Sequence, residues 1–267
     1  MSQFMLQNFK RALRGKVKLQ PFFEKSHQYS LSGMNIGSGA NVAESGEKYV
    51  LTLIKKTLQE NSTFMPVVFD VGANVGDYAK AVDSIFEGKV STYAFEPLTH
   101  TASLLRDTCR NIASVTIHQT ALSNTTGTLT MYSDKAGSPL ASVHKRRLDH
   151  FEIAFDSAET TPVTTLDTFC QIQVIPKIDF LKLDVEGHEL SVLQGASHLL
   201  AKKAIQFIQF EFGGANIDSR TYFQDFYYLL KDHYTIYRIL SDGLQEITTY
   251  NERYEIFLAS NFLAIAK

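Results

Sequence analysis

VVFDVGANVGDYAK, residues 67–80, decides the fold. Val67, Val68 and Phe69 make a short apolar, β-branched-rich run, as an inner parallel strand needs. Asp70 ends it. Gly72, Asn74 and Gly76 follow at alternate positions, and a helical pattern starts near Val75. The glycines permit close backbone approach, and Asn74 is one of the few non-glycine residues that tolerate positive φ. The helix start behind them offers unpaired N–H groups. The spacing predicts a strand, a turn and a helix, with a polar ligand on the turn.

A dinucleotide-binding turn would read G-x-G-x-x-G. This one reads D-x-G-x-N-x-G. An acid ahead of the first glycine repels a pyrophosphate but suits a ligand with an ammonium and hydroxyls, such as S-adenosylmethionine. A turn that binds nothing is the plain alternative. KVSTYAFEP, residues 89–97, separates the two. It reads as a second strand ending in Glu96, with Pro97 stopping the ladder. An acid there, about 20 residues past the glycine turn, is placed to hydrogen-bond both hydroxyls of a ribose. Turn and strand end together indicate a nucleoside-bearing cofactor on a doubly wound sheet.

Outward from this centre, a third strand is expected over 115–122, ending at Ala121, Leu122 and Ser123 where an adenine would lie. Residues 127–132 alternate as a β-ribbon, and 133–161 read as an irregular loop of the acceptor site, with a mobile surface loop as the alternative and a basic patch at Lys145, Arg146 and Arg147. IDFLKLDV, 178–185, is the fourth strand, and Asp184, Glu186, His188 and Glu189 crowd its carboxyl end. Ligands bind at that end of open α/β sheets. A carboxylate near a helix start is favourable in any protein, so a purely structural Glu189 is the alternative there. AIQFIQFEF, 204–212, is the fifth strand, reaching Glu211 before Gly213 and Gly214. YTIYRIL and FLASNFLAIA close the sheet as antiparallel edge strands.

The 267 residues, 44% hydrophobic and 20% charged, suit one α/β domain. A net charge of −2 provides no field to recruit nucleic acid. Cys109 and Cys170 give neither a disulfide framework nor a zinc spacing, which fits a cytoplasmic location. No apolar run is long enough for a membrane span. Residues 1–45 read as an N-terminal arm or lid and 46–267 as the main domain. Within the arm, residues 1–25 carry Lys10, Arg11, Arg14, Lys16, Lys18 and Lys25 against Glu24, with Leu6, Phe9, Leu13 and Val17 at helical spacing. Covering the domain or a subunit neighbour is the leading role, so a homo-oligomer is compatible. Peripheral contact with an acidic membrane surface is the alternative. Residues 26–46 read as a polar, glycine-rich loop.

FDVGANVG, FEP, TAL-S, TTLD, FLKLDVEGHEL and FEF, in this order, resemble the FkbM family of S-adenosylmethionine-dependent methyltransferases over residues 65–212. The resemblance implies a Rossmann-like, seven-stranded, mostly parallel class I methyltransferase sheet with an antiparallel C-terminal hairpin. It also implies O-methylation of a sugar, glycan or natural-product hydroxyl. Carried over by position, Asp70, Gly72, Asn74 and Gly76 would hold the amino-acid end of the cofactor. Glu96, with Pro97 beside it, would take the ribose. Ala121, Leu122 and Ser123 would border the adenine. Asp184, Glu186, His188 and Glu189 would face the reacting hydroxyl.

The cofactor supplies an activated methyl group, and a weakly acidic hydroxyl needs a base or a metal ion. His188 has a suitable ordinary pKa for the base, a capping or packing residue at the helix start being the alternative. Asp184 and Glu211 end neighbouring strands and could instead hold Mg²⁺. No third carboxylate is adjacent to Glu211, Asn216 being the nearest candidate, so the sequence leans against the metal. A nicotinamide-dependent oxidoreductase and a non-catalytic nucleoside-binding module are the alternative functions.

Overall fold

The computed structural model describes residues 11, 13–37, 45–61 and 65–267. Leu6, Phe9 and part of the expected lid lie outside the described residues. The helices are α1 (Gln20–Gly33), α2 (Glu47–Asn61), α3 (Asp77–Phe86), α4 (Thr99–Thr108), α5 (Leu166–Ile172), α6 (Glu189–Gln194), α7 (Ser197–Ala201), α8 (Ala215–Ser219) and α9 (Phe223–Leu230). The strands are β1 (Val67–Val71), β2 (Ser91–Phe95), β3 (Val115–His118), β4 (Ala121–Leu122), β5 (Gly127–Ser133), β6 (Ser157–Thr164), β7 (Ile178–Leu183), β8 (Ile205–Phe212), β9 (Tyr234–Ile239), β10 (Leu244–Glu246) and β11 (Ser260–Ala266).

The main sheet has the order β10-β9-β11-β8-β7-β1-β2-β3. The pairs from β3 to β8 are parallel, and β11 and β9 add antiparallel. This is the doubly wound, mostly parallel sheet that was expected, with antiparallel strands at its C-terminal side. All seven expected strands are present, and the short β10 joins as an eighth at the edge. β11 sits inside the sheet, between β8 and β9, rather than at its edge.

Both faces are covered, which is why the strands read as near-continuous apolar runs. Val68, Phe180 and Phe207 are in register and pack on one side under Val50, Leu51, Ile54, Val82 and Phe86. Phe69, Leu181 and Ile208, one residue further along, face the other side with Val192, Leu193, Phe226 and Phe262.

Three local expectations change. The third strand stops at His118, and Ala121–Leu122 belongs to a separate three-stranded sheet, β4-β6-β5. Within 133–161, residues 157–161 are strand rather than loop, because β6 pairs with the β5 ribbon along its whole length. Residues 26–33 are helical, since α1 runs to Gly33, although among its residues only Leu31 is buried. Among the described residues no helix is long and apolar enough to cross a membrane.

Candidate active site

A cavity of about 460 Å³ opens where β1, β2, β7 and β8 end. Its floor is the turn after β1. Gly72 and Ala73 both donate their N–H to the Phe95 carbonyl at 3.0 Å, which ties the turn to the end of β2. Gly72 has φ 85°, and a Cβ there would lie 1.8 Å from the Asp184 carbonyl oxygen. That glycine is required because two chain segments cross, as much as for ligand approach. Asn74, at φ 47°, lines the cavity, and its Oδ1 is buried with no partner.

Glu96 lines the same wall at 7% exposure. Its Oε1 accepts from the Leu98 N–H at 3.0 Å and its Oε2 from the Asn74 N–H at 3.2 Å. Burial pushes its carboxyl up to about 7 against those two donors. Pro97, Ala121 and Leu122 continue the wall, and Ser138–Ala141 with Val143 close it from the irregular loop. A backbone-held carboxylate and an unpartnered amide oxygen, on an apolar-walled cavity, fit the ribose and ammonium of S-adenosylmethionine.

The opposite wall is the turn after β7, bearing Asp184, Glu186 and His188, with Glu211 from the end of β8. Glu186 has φ 52° and Gly187 φ 96°. A Cβ on Gly187 would meet the Ala215 carbonyl oxygen at 2.8 Å, so glycine is needed to complete the turn. Glu189 is 1% exposed, and its Oε1 accepts from the N–H groups of Val185 (2.9 Å) and Gly187 (3.2 Å). One half of this carboxylate is therefore structural. The loop is pinned to this turn. Ser142 Oγ donates to the Glu186 carbonyl at 2.7 Å, and Arg146 Nη1 meets Glu186 Oε2 at 2.5 Å. Burial and then Asp184 push Glu186 up to about 8, and the same causes hold Glu211 well above its ordinary value.

Four expected site residues do not line the main cavity. Gly76 faces Leu105 and Cys109, where α3 packs on α4. Glu189 lies behind the turn. Ser123 is buried, with its Oγ 2.8 Å from His188 Nε2. Burial and then His144 push His188 down to about 4, so its imidazole is neutral at neutral pH. Its Nδ1 is buried without a partner. Asp70 is fully buried, one layer beneath the cavity, with no hydrogen bond to either oxygen.

What lies beside Asp70 is a residue that the motif reading missed. Lys182, in β7, is in register with Asp70 of β1 and Gln209 of β8. Its Nζ sits 3.0 Å from Asp184 Oδ2, 3.9 Å from Asp70 Oδ1 and 4.4 Å from the centre of the Tyr78 ring. Burial opposes the charge, but Asp184, Asp70 and Glu47 outweigh it and hold the ammonium above its ordinary value. Burial pushes Asp70 up to about 6 despite Lys182. A lone lysine inside an apolar strand was the available signal.

The model of the "Methyltransferase FkbM domain" family matches residues 70–239, from the first glycine turn to the end of β9. The chain belongs to the FkbM methyltransferase family. A Haloferax volcanii protein described as "Hexuronic acid methyltransferase AglP" is 28% identical over 166 residues, covering 61% of this chain and 61% of that protein. The chain thus spans less than two thirds of that relative's length. Among solved structures, a putative rRNA methylase from Clostridium thermocellum has a TM-score of 0.45 at 8% identity, covering 84% of this chain and 97% of its own. A SAM-dependent O-methyltransferase from Thermotoga maritima has 0.39 at 12%, covering 82% and 65%. Likeness at that level carries no argument about substrate. Within the FkbM domain lie all the residues of both cavity walls, including the loop that the motifs did not cover.

Proposed function

We propose that this FkbM-family chain uses S-adenosylmethionine to methylate a hydroxyl oxygen of a sugar, most simply within a glycan. One observation carries the reading. Glu96 and the unpartnered Asn74 oxygen stand on one wall of the cavity, and the Asp184–Glu186–Glu211 group stands on the other. The cofactor would bring the methyl group already activated on its sulfonium. Glu96 would accept the two ribose hydroxyls, and Asn74 Oδ1 would accept from the ammonium. Ala121 and Leu122 would flank the adenine. Asp184, whose side chain is 41% exposed, would face the acceptor's hydroxyl while Lys182 holds its other face. Neutral His188, fixed by Ser123, would border the same space rather than carry a charge.

The relative described for hexuronic acid supports a sugar acceptor. Two unpaired, buried cysteines are compatible with a reducing cytoplasm. The test is transfer of a labelled methyl group from the cofactor to a panel of uronate-containing glycans, neutral sugars and hydroxylated metabolites. Label on a sugar hydroxyl is expected. Label confined to the metabolites that carry no sugar would overturn the acceptor class.

A further inference from the structure

We propose that Asp184, Glu186 and Glu211 bind one divalent cation, and that this ion receives the acceptor's oxygens. The proposal rests on the methyl-transfer reading and names how that acceptor is held. Asp184 and Glu186 come from the turn after β7 and Glu211 from the end of the adjacent β8. One oxygen from each lies within 4.8 Å of the others. Oxygens bound to a single Mg²⁺ or Ca²⁺ at about 2.0–2.6 Å fall within roughly twice that distance of one another. Among the described residues this is the group whose spacing allows it. The sequence offered only Asn216 as a third ligand. Its side chain is taken, with Oδ1 accepting from the Gly213 N–H at 2.8 Å and Nδ2 donating to Thr221 at 2.7 Å. Glu186 replaces it, through the φ 52° turn that the sequence did not reveal.

A second observation points to a ligand at the same place. A smaller cavity of about 180 Å³ adjoins the main one and is lined by Glu186, Glu189 and Glu211. Glu189 is 1% exposed, and its Oε2 has no partner. A buried carboxylate oxygen without a donor is costly. A water bound to the ion would supply that donor. The two cations present are largely committed. Arg146 holds Glu186 by Oε2, leaving Oε1, and Lys182 sits between Asp184 and Asp70. The donors are carboxylates alone, His188 falling outside the group, which selects a hard ion such as Mg²⁺ or Mn²⁺ over zinc or copper. Such an ion keeps open positions for two neighbouring oxygens of a sugar.

The experiment is a Mn²⁺ titration of the full chain, with and without S-adenosylhomocysteine, read by the spin-resonance signal of free Mn²⁺. One Mn²⁺ per chain is expected, with Mg²⁺ competing. Glu211→Gln and Glu186→Gln should each weaken it by at least about tenfold, and the exposed Glu246→Gln should not. Failure of the wild-type chain to take up Mn²⁺ in either state would overturn the site. So would undiminished uptake by folded Glu211→Gln and Glu186→Gln. Binding of S-adenosylhomocysteine is measured in the same samples without metal. Nucleoside binding with no Mn²⁺ sinks the metal site alone, and Mn²⁺ binding with no nucleoside sinks the methyl-transfer reading.

Discussion

Lys182→Met is expected to destabilise the fold by about 3–5 kcal/mol, the cost of removing one partner from a buried ion pair. Lys182 is 4% exposed, and its ammonium is the cation between Asp70 and Asp184. Methionine fills the volume but leaves Asp70 fully buried with no counter-charge. The loss should depend on pH. Asp70 already stands at about 6 in the fold, against about 3.9 unfolded, so the native chain binds more protons between those values. Stability therefore falls as pH rises through that window. Without Lys182 the native value rises further and the window extends upward. The variant should be weakest near pH 8 and recover towards pH 5, and adding Asp70→Asn should restore much of the loss at pH 8. Thermal or denaturant unfolding at both pH values reads this out. Equal losses at both, with no restoration by the second change, would mean that the pair contributes little.

Glu96→Ala is expected to weaken S-adenosylhomocysteine binding by about 10²-fold. Two hydrogen bonds from ribose hydroxyls to an ionised carboxylate contribute at least about 1.5 kcal/mol each, and 1.4 kcal/mol is a decade of affinity. The direction with pH also follows. Burial holds Glu96 at about 7 in the free protein, and a ligand that donates to both oxygens favours the ionised form. Affinity should rise from pH 6 to pH 8 and then level off. Glu96→Gln keeps an acceptor for the Asn74 or Leu98 N–H, so its fold should survive, and its affinity should lose that rise. An unchanged wild-type affinity in the alanine variant would place the ribose elsewhere.

The centre of this molecule was legible because its strands are buried on both faces. Val67–Phe69 reads as an apolar run and Ile178–Leu183 as a mostly apolar one, and the acids just past them stand out. Ser157–Thr164 did not, being polar and carrying Pro162. It is a strand only because the β5 ribbon pairs with it. Helix α1 was half hidden in SLSG, since its chain buries almost nothing. In the site, the sequence already paired Asp184 with Glu211 at neighbouring strand ends, but not Glu186 as the third member. Bringing Glu186 beside them needs the left-handed turn at that residue. Arg146 and Ser142 reach that turn across 40 and 44 residues of sequence, from a loop with no periodic signal. Asp70 was expected on the ligand. Its position in register with Lys182 places it beneath the cavity, beside that lysine's ammonium rather than on the cavity wall.

The central claim is that the cavity beside Glu96 is built for a sulfonium nucleoside. Calorimetric titration of the purified chain with S-adenosylmethionine, S-adenosylhomocysteine and NAD tests it directly. Saturable one-to-one binding of the first two, with no heat from NAD, is the result expected. Saturable NAD binding, with neither sulfur nucleoside bound, would contradict it.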